Sequence, residues 1–544
     1  MALTRISKKE LFALLGKELS DEELSERVTS LGTPVEYVKG DEVGVEVTPN
    51  RPDMYSVEGL ARALSSFLSL KRGFTDYSAS ESGIELEVDD SVKKVRPFIA
   101  AAAARDVKLT DELLVSLINL QEKLHDTLGR KRRKVAIGFT DLDKLKPPFR
   151  YFATCPDENA FVPLGESEPW TPGRILGELA QGKEYGYILE DHAKYPLIAD
   201  SAGNAVALPP IITAEKVKLT PQARNIFIDV TGTSEHSVKD VLTIICSALF
   251  DRGAKIGSVA IKRKAGTEAT PDFSPQVSSL RLRNLNRLLG REFSGEEAKT
   301  LLERMGHSVS ASEKKGVLSV RTPAYRVDVL QEVDLIEDVA IPFGYNNFEP
   351  ALPAFSSIGK RSGREERSDF ARETMLGLGF TEVLHWYMTN RQADFEKPLA
   401  GERPAVHIRN PLTENFTMVR TWCIPSLLET IAGNKDEKTP QKIFEVGEAA
   451  TIDGGKVVEE TRLAAATCDP KASFSETRSC LEAAARELRL EIGFRESAHP
   501  TFIPGRAAEI LVAGKSVGII GEIHPQALNN FGIEQPVAAF EIRI

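Results

Sequence analysis

The sequence has few of the features that would anchor a chain in a membrane or hold a zinc ion. Five cysteines occur in 544 residues, and neither a C-x-x-C pair nor an H-E-x-x-H motif is present. We therefore expect no structural zinc site and no disulfide framework. The longest apolar runs, 98–104 and 241–250, are far shorter than the roughly 20 residues that a membrane-spanning helix needs. The sequence therefore predicts no membrane span.

The N-terminus also lacks a signal-peptide core, because charged side chains interrupt its apolar stretch. We expect an amphipathic first helix and a cytoplasmic location. The formal net charge of −10 argues against a protein that coats nucleic acid through its overall charge. Any contact with RNA must therefore be local.

The length exceeds what one hydrophobic core can serve, so we expect several domains. Two stretches rich in Pro, Gly, Ser and Thr, 264–276 and 349–363, have no hydrophobic period and are interpreted as linkers. The predicted domains are 1–80, 85–263, 277–350 and 360–544. The third is predicted to contain a helix capped by Ser294 and another starting near Gln331. The last is predicted to be a mostly antiparallel sheet with helices, in which 381–387 and 441–448 are strands.

A stiff corner is predicted at TPNRPD, residues 48–53. Valines at alternate positions of 43–47 indicate a preceding strand with one buried face. The two prolines hold the residues before them out of the helical region, and Ser56 can cap a following helix. The simpler interpretation is that Arg51 and Asp53 brace this corner, and a ligand site is the alternative.

Four carboxylates come close together in YRVDVLQEVDLIED. Asp334, Glu337 and Asp338 fall on one face of the predicted helix, and Asp328 lies just before it. Hard oxygen donors in this arrangement suit Mg²⁺. A solvated acidic helix start, favoured by the helix dipole, is the alternative.

The segment NIFIDVTG predicts a strand with two different faces. Asn225, Asp229 and Thr231 share one face, opposite an apolar one. A carboxylate and a hydroxyl two residues apart can position a water or hold a polar substrate group. A solvated polar face is the commoner explanation. Upstream, the basic run Arg130 to Lys134 is either a phosphate contact or a solvated helix end.

Five blocks in order along nearly the whole chain resemble the β subunit of archaeal and eukaryotic type phenylalanyl-tRNA synthetase. They begin at VEVTPNRPDMYSVEGLARAL and LPPII...RNIFIDVTGT, continue with YRVDVLQEVDLIEDVAIPFGYNN and NPLTENFTMVRTWCIPSLLETIAGN, and end with GEIHPQALNNFGIEQPVAAFEI. Several ordered blocks of this kind are far more specific than any single motif described above.

The resemblance implies a tetramer of two α and two β subunits that attaches phenylalanine to tRNA(Phe). The resemblance also implies that ATP is a substrate at the α subunit, and the C-terminal region of this chain agrees with that division, since it lacks a G-x-G-x-x-R segment for the ATP phosphates. By the same resemblance, Asp328, Asp334, Glu337 and Asp338 match the family's Mg²⁺ pattern at a site shared with α.

The central domain resembles the family's editing module, which hydrolyses tyrosine wrongly esterified to tRNA(Phe). Asp229 and Thr231 match its catalytic positions, with Leu208 and Asn225 as pocket residues. A second, polar site of this kind separates two amino acids that differ by one hydroxyl. In the family a serine usually precedes the L-P-P turn, whereas this chain has Ala207. Editing is therefore either weakened or served by a hydroxyl from elsewhere.

The predicted fold class is α+β multidomain. It comprises an N-terminal α/β domain, a central editing-type domain, a small winged-helix-like metal-binding module and an inactive class II synthetase-like antiparallel sheet for contact with α. A free-standing RNA-binding or interaction protein built from the same modules is the main alternative. An independent hydrolase acting on mischarged tRNA is a third, which Ala207 makes less attractive.

Overall fold

The computed structural model describes residues 2–352 and 357–544. Contacts group the chain into two compact units, 1–351 and 352–544. In the part of the chain that the structure describes, no helix is both long and apolar enough to cross a membrane. The second predicted linker, 349–363, includes residues 353–356, which lie outside the described residues.

The first unit begins with a small antiparallel sheet covered by helices. Its elements are β1 (Ala2–Ser7), α1 (Lys8–Leu15), α2 (Asp21–Ser30), β2 (Val35–Lys39), β3 (Glu42–Val47) and α3 (Val57–Phe67). The strand order is β1-β3-β2. Val43, Val45 and Val47 of β3 are buried, as their alternation predicts. Ser56 caps α3 by accepting a hydrogen bond from the N–H of Gly59 at 3.2 Å.

The corner after β3 is braced in the way that its residue types predict. Arg51 donates to both carboxylate oxygens of Asp53 at 2.9 Å, and both residues are buried. A Cβ at Gly59 would lie 1.7 Å from the carbonyl oxygen of Asp53. The corner and the first turn of α3 therefore touch backbone to backbone.

A large mixed sheet forms the centre of the first unit. Its strands are β4 (Ser80–Val88), β5 (Phe98–Arg105), β6 (Val135–Asp141), β7 (Phe149–Thr154), β8 (Tyr195–Ala199), β9 (Ala205–Leu208), β10 (Ile212–Thr213), β11 (Ile226–Gly232), β12 (Lys255–Arg263) and β13 (Gly266–Thr270). The order is β10-β9-β8-β7-β4-β12-β5-β11-β6, and β13 pairs with β12. The helices are α4 (Asp111–Asp126), α5 (Pro172–Glu178), α6 (Ala180–Tyr185) and α7 (Glu235–Asp251).

The first predicted linker, 264–276, is wrong over part of its length. Residues 266–270 form β13, an edge strand whose side chains are exposed except at Thr270. An exposed edge has no buried face and therefore shows no hydrophobic period. Thr270 anchors the strand, because its hydroxyl contacts the backbone N–H and C=O of Ala101 at 3.0 and 2.8 Å.

The N-terminal and central layers share one hydrophobic core. It contains Leu11 and Leu60 from the small sheet's helices together with Leu117, Ile228 and Val241 from the central layer. The predicted boundary near residue 80 is thus a boundary between sheets and not between cores. The division into four domains stays a prediction.

A compact α/β segment follows in the first unit. It contains β14 (Gln276–Arg281), α8 (Leu282–Leu289), α9 (Gly295–Glu303), β15 (Ser308–Ala311), β16 (Val317–Thr322) and α10 (Glu332–Phe343). The strand order is β14-β16-β15. Ser294 caps α9 and Gln331 is the N-cap of α10, in agreement with the predicted helix starts.

The second unit is built on a mostly antiparallel sheet with helices. Its strands are β17 (Thr381–Glu382), β18 (Met388–Thr389), β19 (Met418–Val419), β20 (Gln441–Asp453), β21 (Lys456–Cys468), β22 (Ile492–Glu496), β23 (Phe502–Val512), β24 (Lys515–Ile523) and β25 (Val537–Arg543). Its helices are α11 (Gly363–Gly377), α12 (Ile424–Gly433), α13 (Phe474–Glu487) and α14 (Pro525–Phe531). The main sheet has the order β17-β20-β21-β25-β24-β23-β22, and β18 pairs with β19. The predicted strand 381–387 is correct only for its first two residues.

Candidate functional site

A cavity of about 210 Å³ lies beside β11 and β6 of the central sheet. The helix α4 and the segment around β9 and β10 provide the other walls. Residues that line it and carry the argument below are Gln121, Glu122, His125, Arg132, Gly138, Ala207, Thr213, Asp229 and Thr231. The two residues predicted as catalytic, Asp229 and Thr231, therefore lie together in one pocket.

Asp229 carries a buried carboxyl group toward this cavity. Its side chain is almost fully enclosed, and among the described residues its Oδ2 has no hydrogen-bond partner. Burial raises the pKa of Asp229 to about 7, against a smaller opposing effect of the Arg96 charge. The carboxyl group can therefore take and release a proton near neutral pH.

A glycine on the neighbouring strand makes room for that carboxyl group. Gly138 of β6 stands directly opposite Asp229 in the antiparallel register. A Cβ at Gly138 would lie 2.2 Å from Oδ2 of Asp229. The absence of a side chain at position 138 thus leaves the space that the carboxyl group occupies.

Thr231 is held by a buried arginine. Arg96 donates through Nε to the Thr231 hydroxyl at 2.9 Å and through Nη2 to its carbonyl at 2.8 Å. The same guanidinium also donates to the carbonyls of Arg132 and Arg133 at 3.1 and 3.2 Å. One side chain therefore fixes Thr231 and the end of the basic run together.

The strand β11 is not the solvated surface strand that its polar residues favour. All seven of its residues are buried, because hydrophobic core residues cover both faces of the sheet at this strand. Ile226, Ile228 and Val230 pack in the core on one side, as the alternation predicts. The polar face is turned into the protein, and the solvated interpretation is wrong.

The two predicted pocket residues, Leu208 and Asn225, do not line the cavity. Leu208 is buried in the core, although its neighbour Ala207 does reach the cavity wall. Asn225 precedes β11 and donates to Oδ1 of Asp143 at 2.7 Å. The chain turns after β9, and β11 begins one residue after Asn225, so the roles of Leu208 and Asn225 in the pocket stay predictions.

The cavity contains polar residues of α4 that the sequence pattern did not indicate. His125 accepts a hydrogen bond at Nε2 from the backbone N–H of Ile137 at 2.9 Å, and its Nδ1 lies 3.3 Å from Glu122. Burial lowers the pKa of His125. Since a backbone N–H can only donate, His125 is neutral with its proton on Nδ1. The signal available in the sequence was the i, i+1, i+4 spacing of Gln121, Glu122 and His125.

Arg132 joins α4 to the loop after β9. It lies 3.2 Å from Glu122 and 3.3 Å from the carbonyl of Ile211, and its guanidinium lies 4.1 Å from the ring centroid of Tyr185. Arg132 is therefore the residue of the basic run that lines the cavity.

A threonine faces the position where the predicted serine is missing. Ala207 and Thr213 are direct partners in the antiparallel pairing of β9 and β10, and both line the cavity. Directly paired residues on one face have their Cβ atoms about 5 Å apart. The hydroxyl of Thr213 is therefore close to where a serine at 207 would place its own.

Two of the four carboxylates predicted to bind Mg²⁺, Asp328 and Asp338, pair with Arg326. This arginine donates to both oxygens of Asp328 at 2.9 and 2.8 Å and to Asp338 at 2.6 Å. Asp338 also lies 2.6 Å from Nε2 of His307. Although burial acts to raise the pKa of Asp338, Arg326 and then His307 hold it far below its usual value. Two of the four carboxylates are thus already neutralised.

The other two carboxylates, Asp334 and Glu337, form no ion pair with Arg326 in the described structure. Asp334 accepts from the backbone N–H groups of Leu330 and Gln331 at 2.8 and 2.7 Å. Glu337 is exposed, and its pKa is raised first by partial burial and then by the charges of Asp338, Asp334 and Asp328. Over residues 2–352 and 357–544, no three His, Cys, Asp or Glu side chains are arranged to hold a metal by themselves. The donor set fits a cation only as a half-site that other ligands complete.

Proteins with this architecture are known, and many match most of the chain. The phenylalanine--tRNA ligase beta subunit of Thermococcus sibiricus is 42% identical over 497 residues, which are 91% of this chain and 88% of that relative. The chain belongs to the family of phenylalanine--tRNA ligase beta subunits. The beta subunit of Archaeoglobus fulgidus is 42% identical over 95% of this chain and 93% of its own length. That of Pyrococcus furiosus is 39% identical over 99% and 98%.

Family models and a solved structure agree with this membership. The tRNA synthetase B5 domain model matches residues 278–345, and the phenylalanyl tRNA synthetase beta chain CLM domain model matches 349–544. A crystal structure of an N-terminal fragment of the beta subunit from Pyrococcus horikoshii is 36% identical with a TM-score of 0.61. It covers 63% of this chain and all of the fragment. The acidic cluster thus lies in the segment that matches the B5 domain.

Proposed function

We propose that this beta subunit works with an α subunit, in a tetramer of two α and two β, to charge tRNA(Phe), and that its central sheet hydrolyses mischarged Tyr-tRNA(Phe). The observation that carries the hydrolytic role is the buried carboxyl group of Asp229, which points into a cavity beside Thr231. A group that titrates near pH 7 inside a cavity is suited to general base catalysis.

The reaction is an ester hydrolysis. Asp229 removes a proton from a bound water, and the water oxygen forms a bond to the ester carbonyl carbon. The bond from that carbon to the ribose oxygen then breaks, and the ribose oxygen takes up the proton. Thr231, held by Arg96, provides a hydroxyl beside the same water.

The chemistry of the pocket explains why tyrosine is the substrate. The walls formed by Glu122, His125 and Thr213 contain several polar atoms that a phenol can pair with. A phenylalanine ring would leave those atoms unpaired, and a polar site rejects a ligand that lacks the matching hydroxyl.

The test is hydrolysis of Tyr-tRNA(Phe) by the complex reconstituted with α. We expect wild type to clear the ester and Asp229→Ala to clear it more slowly by at least a hundredfold, in the range for loss of a general base. Both should charge phenylalanine at equal rates. If Asp229→Ala hydrolyses the ester as fast as wild type, the proposal fails.

Magnesium and ATP belong to the same proposal. ATP would bind at the α subunit. Glu337 and Asp334 would provide this chain's share of the Mg²⁺ ligands beside the arginine-paired Asp328 and Asp338, with α completing the set. The pKa of Glu337 is raised first by partial burial and then by the charges of Asp338, Asp334 and Asp328, and a nearby cation would relieve that repulsion between carboxylates.

A further inference from the structure

A second concave surface lies on the other side of the basic run. It encloses about 950 Å³, and the residues of its wall that matter here are Arg130, Lys131, Arg133, Lys134, Thr233 and Ser234. We call this surface the basic groove. It holds five positive side chains, the fifth being Arg96, beside the hydroxyls of Thr233 and Ser234, in a chain whose formal net charge is −10. The groove is therefore a local exception to the overall charge.

The backbone conformation of the basic run places its side chains on two different concave surfaces. Arg130, Lys131 and Arg132 have φ values of +49°, +52° and +63°, a left-handed conformation that residues other than glycine seldom adopt. This tight turn directs Arg132 to the cavity, where it pairs with Glu122, while the residues on both sides of it line the groove. Such strain tends to occur at functional sites.

The groove begins next to the cavity. Arg96 lines the groove, and its Nε donates to the hydroxyl of Thr231, which lines the cavity. Thr233 of the groove is two residues beyond Thr231 of the cavity. The cavity and the basic groove therefore adjoin each other at Arg96 and the end of β11.

We propose that the basic groove binds the phosphodiester backbone of the nucleotides that precede the aminoacylated end of tRNA. This inference rests on the proposed hydrolysis of Tyr-tRNA(Phe). The amino acid is esterified to the terminal ribose, so the next phosphates must lie just outside the hydrolytic pocket. Lysine and arginine pair with phosphates, and serine and threonine hydroxyls donate to them.

The acidic groups of the groove set a limit on what it can bind. Asp191 also lines the groove. Five positive charges, one of them on the buried Arg96, against this one carboxylate leave a positive surface suited to a chain of phosphates. The test uses Lys131 and Arg133, because both are exposed and neither lines the cavity.

The experiment compares wild type with a Lys131→Gln, Arg133→Gln double variant in the complex with α. The matched control is Arg224→Gln, an exposed arginine before the opposite end of β11. The Tyr-tRNA(Phe) concentration that gives half the maximal hydrolysis rate is measured at about 50 and about 200 mM salt. Two lost phosphate contacts to a single strand reduce the slope of log affinity against log salt concentration by about 1.4. Between the two salt concentrations, the half-maximal Tyr-tRNA(Phe) concentration should therefore rise by a factor about sevenfold smaller in the double variant than in wild type.

A second measurement does not depend on hydrolysis. Hydrogen exchange of residues 130–134 is followed in the wild-type complex with tRNA(Phe) carrying tyrosine through a stable amide, and separately with inorganic phosphate. We expect protection by the tRNA and much less by phosphate. Equal protection by phosphate alone would make the groove a free-phosphate site and overturn the proposal.

The outcomes separate this proposal from the hydrolytic one. If wild type hydrolyses the ester and the double variant behaves like Arg224→Gln, the groove proposal is overturned while the hydrolytic role stands. If wild type does not hydrolyse the ester, the hydrogen-exchange measurement tests the groove proposal by itself. Protection of 130–134 by the tRNA then supports the groove, and its absence overturns it.

Discussion

At the scale of single residues, Asp229 shows how an enclosed carboxyl group lowers stability. The protein encloses its carboxyl group and leaves Oδ2 without a partner in the described structure. Burial of an unpaired polar group opposes folding unless the group becomes neutral. The surrounding fold, with Gly138 on one side and Arg96 behind Thr231, stabilises an arrangement that Asp229 by itself disfavours.

This cost depends on pH. The pKa of Asp229 is about 7 in the folded chain, against about 3.9 in an unfolded chain. The folded state therefore retains a proton that the unfolded state loses, and the contribution of Asp229 to stability falls as pH rises from about 4 to about 7. Asp229→Asn removes this dependence. We expect its melting temperature to exceed that of wild type at pH 8 and to approach it at pH 5.

Scanning calorimetry at both pH values measures the difference, which corresponds to about 1.4 kcal/mol per pKa unit and hence to a few kcal/mol. Asp157→Asn, at an exposed position, is the control and should shift the melting temperature at neither pH. An Asn variant whose advantage is the same at pH 5 and pH 8 would contradict the buried-acid explanation.

A second prediction concerns the hydroxyl opposite Ala207. Thr213→Val keeps the shape of the side chain and removes the hydroxyl from the cavity wall. Since one hydrogen bond contributes about 1 to 2 kcal/mol, hydrolysis of Tyr-tRNA(Phe) should slow about tenfold. Ala207→Ser added to Thr213→Val should restore the rate, because it places a hydroxyl on the paired position. Rates that remain equal to wild type in Thr213→Val would show that this hydroxyl has no part in the reaction.

At the scale of elements, local sequence patterns predicted which residues form strands and helix caps better than they predicted which residues those elements contact. The alternation in β3 and β11 and the caps at Ser56 and Ser294 follow from spacing within about ten residues. The contact of Arg96 with Thr231 joins positions 135 residues apart. No local period encodes such a contact, so the cavity wall on α4 and the polar interior face of β11 became visible only in the folded chain.

The corner before α3 offers a test at this scale. A methyl group at Gly59 would meet the Asp53 carbonyl at 1.7 Å, and backbone cannot move aside as a flexible side chain can. Gly59→Ala should therefore destabilise the first unit by about 2 to 4 kcal/mol, as severe overpacking does. Gly177→Ala is the matched control, because no atom lies within 4 Å of its added Cβ. Calorimetry of both variants checks the result, and equal melting temperatures would refute the steric explanation.

At the scale of the whole molecule, the acidic cluster connects the segment matching the B5 domain to the N-terminal corner. Although burial acts to raise the pKa of Asp53, Arg51 and then Arg326 hold it below its ordinary value. Arg326 also neutralises Asp328 and Asp338. The charges of the corner and of the cluster therefore form one network, and Glu337 is its exposed member.

Because Glu337 is exposed, it is the carboxylate best suited to test assembly with the α subunit. If Mg²⁺ and the α subunit complete the half-site, removing Mg²⁺ with EDTA should weaken the association of wild type with α. Glu337→Gln should associate more weakly in Mg²⁺ and respond little to EDTA, because the side chain with the fewest competing contacts no longer carries a charge. Mg²⁺ takes carboxylates and keeps several waters, so losing one ligand should reduce affinity about tenfold or more. Sedimentation of the mixed subunits with and without Mg²⁺ measures this, and Glu296→Gln, exposed on α9, is the control. A carboxylate that coordinates a shared ion cannot be removed without changing the response of the complex to loss of that ion. If Glu337→Gln and wild type respond alike to EDTA, the carboxylates therefore pair only with Arg326, and the cluster stabilises the fold without binding Mg²⁺.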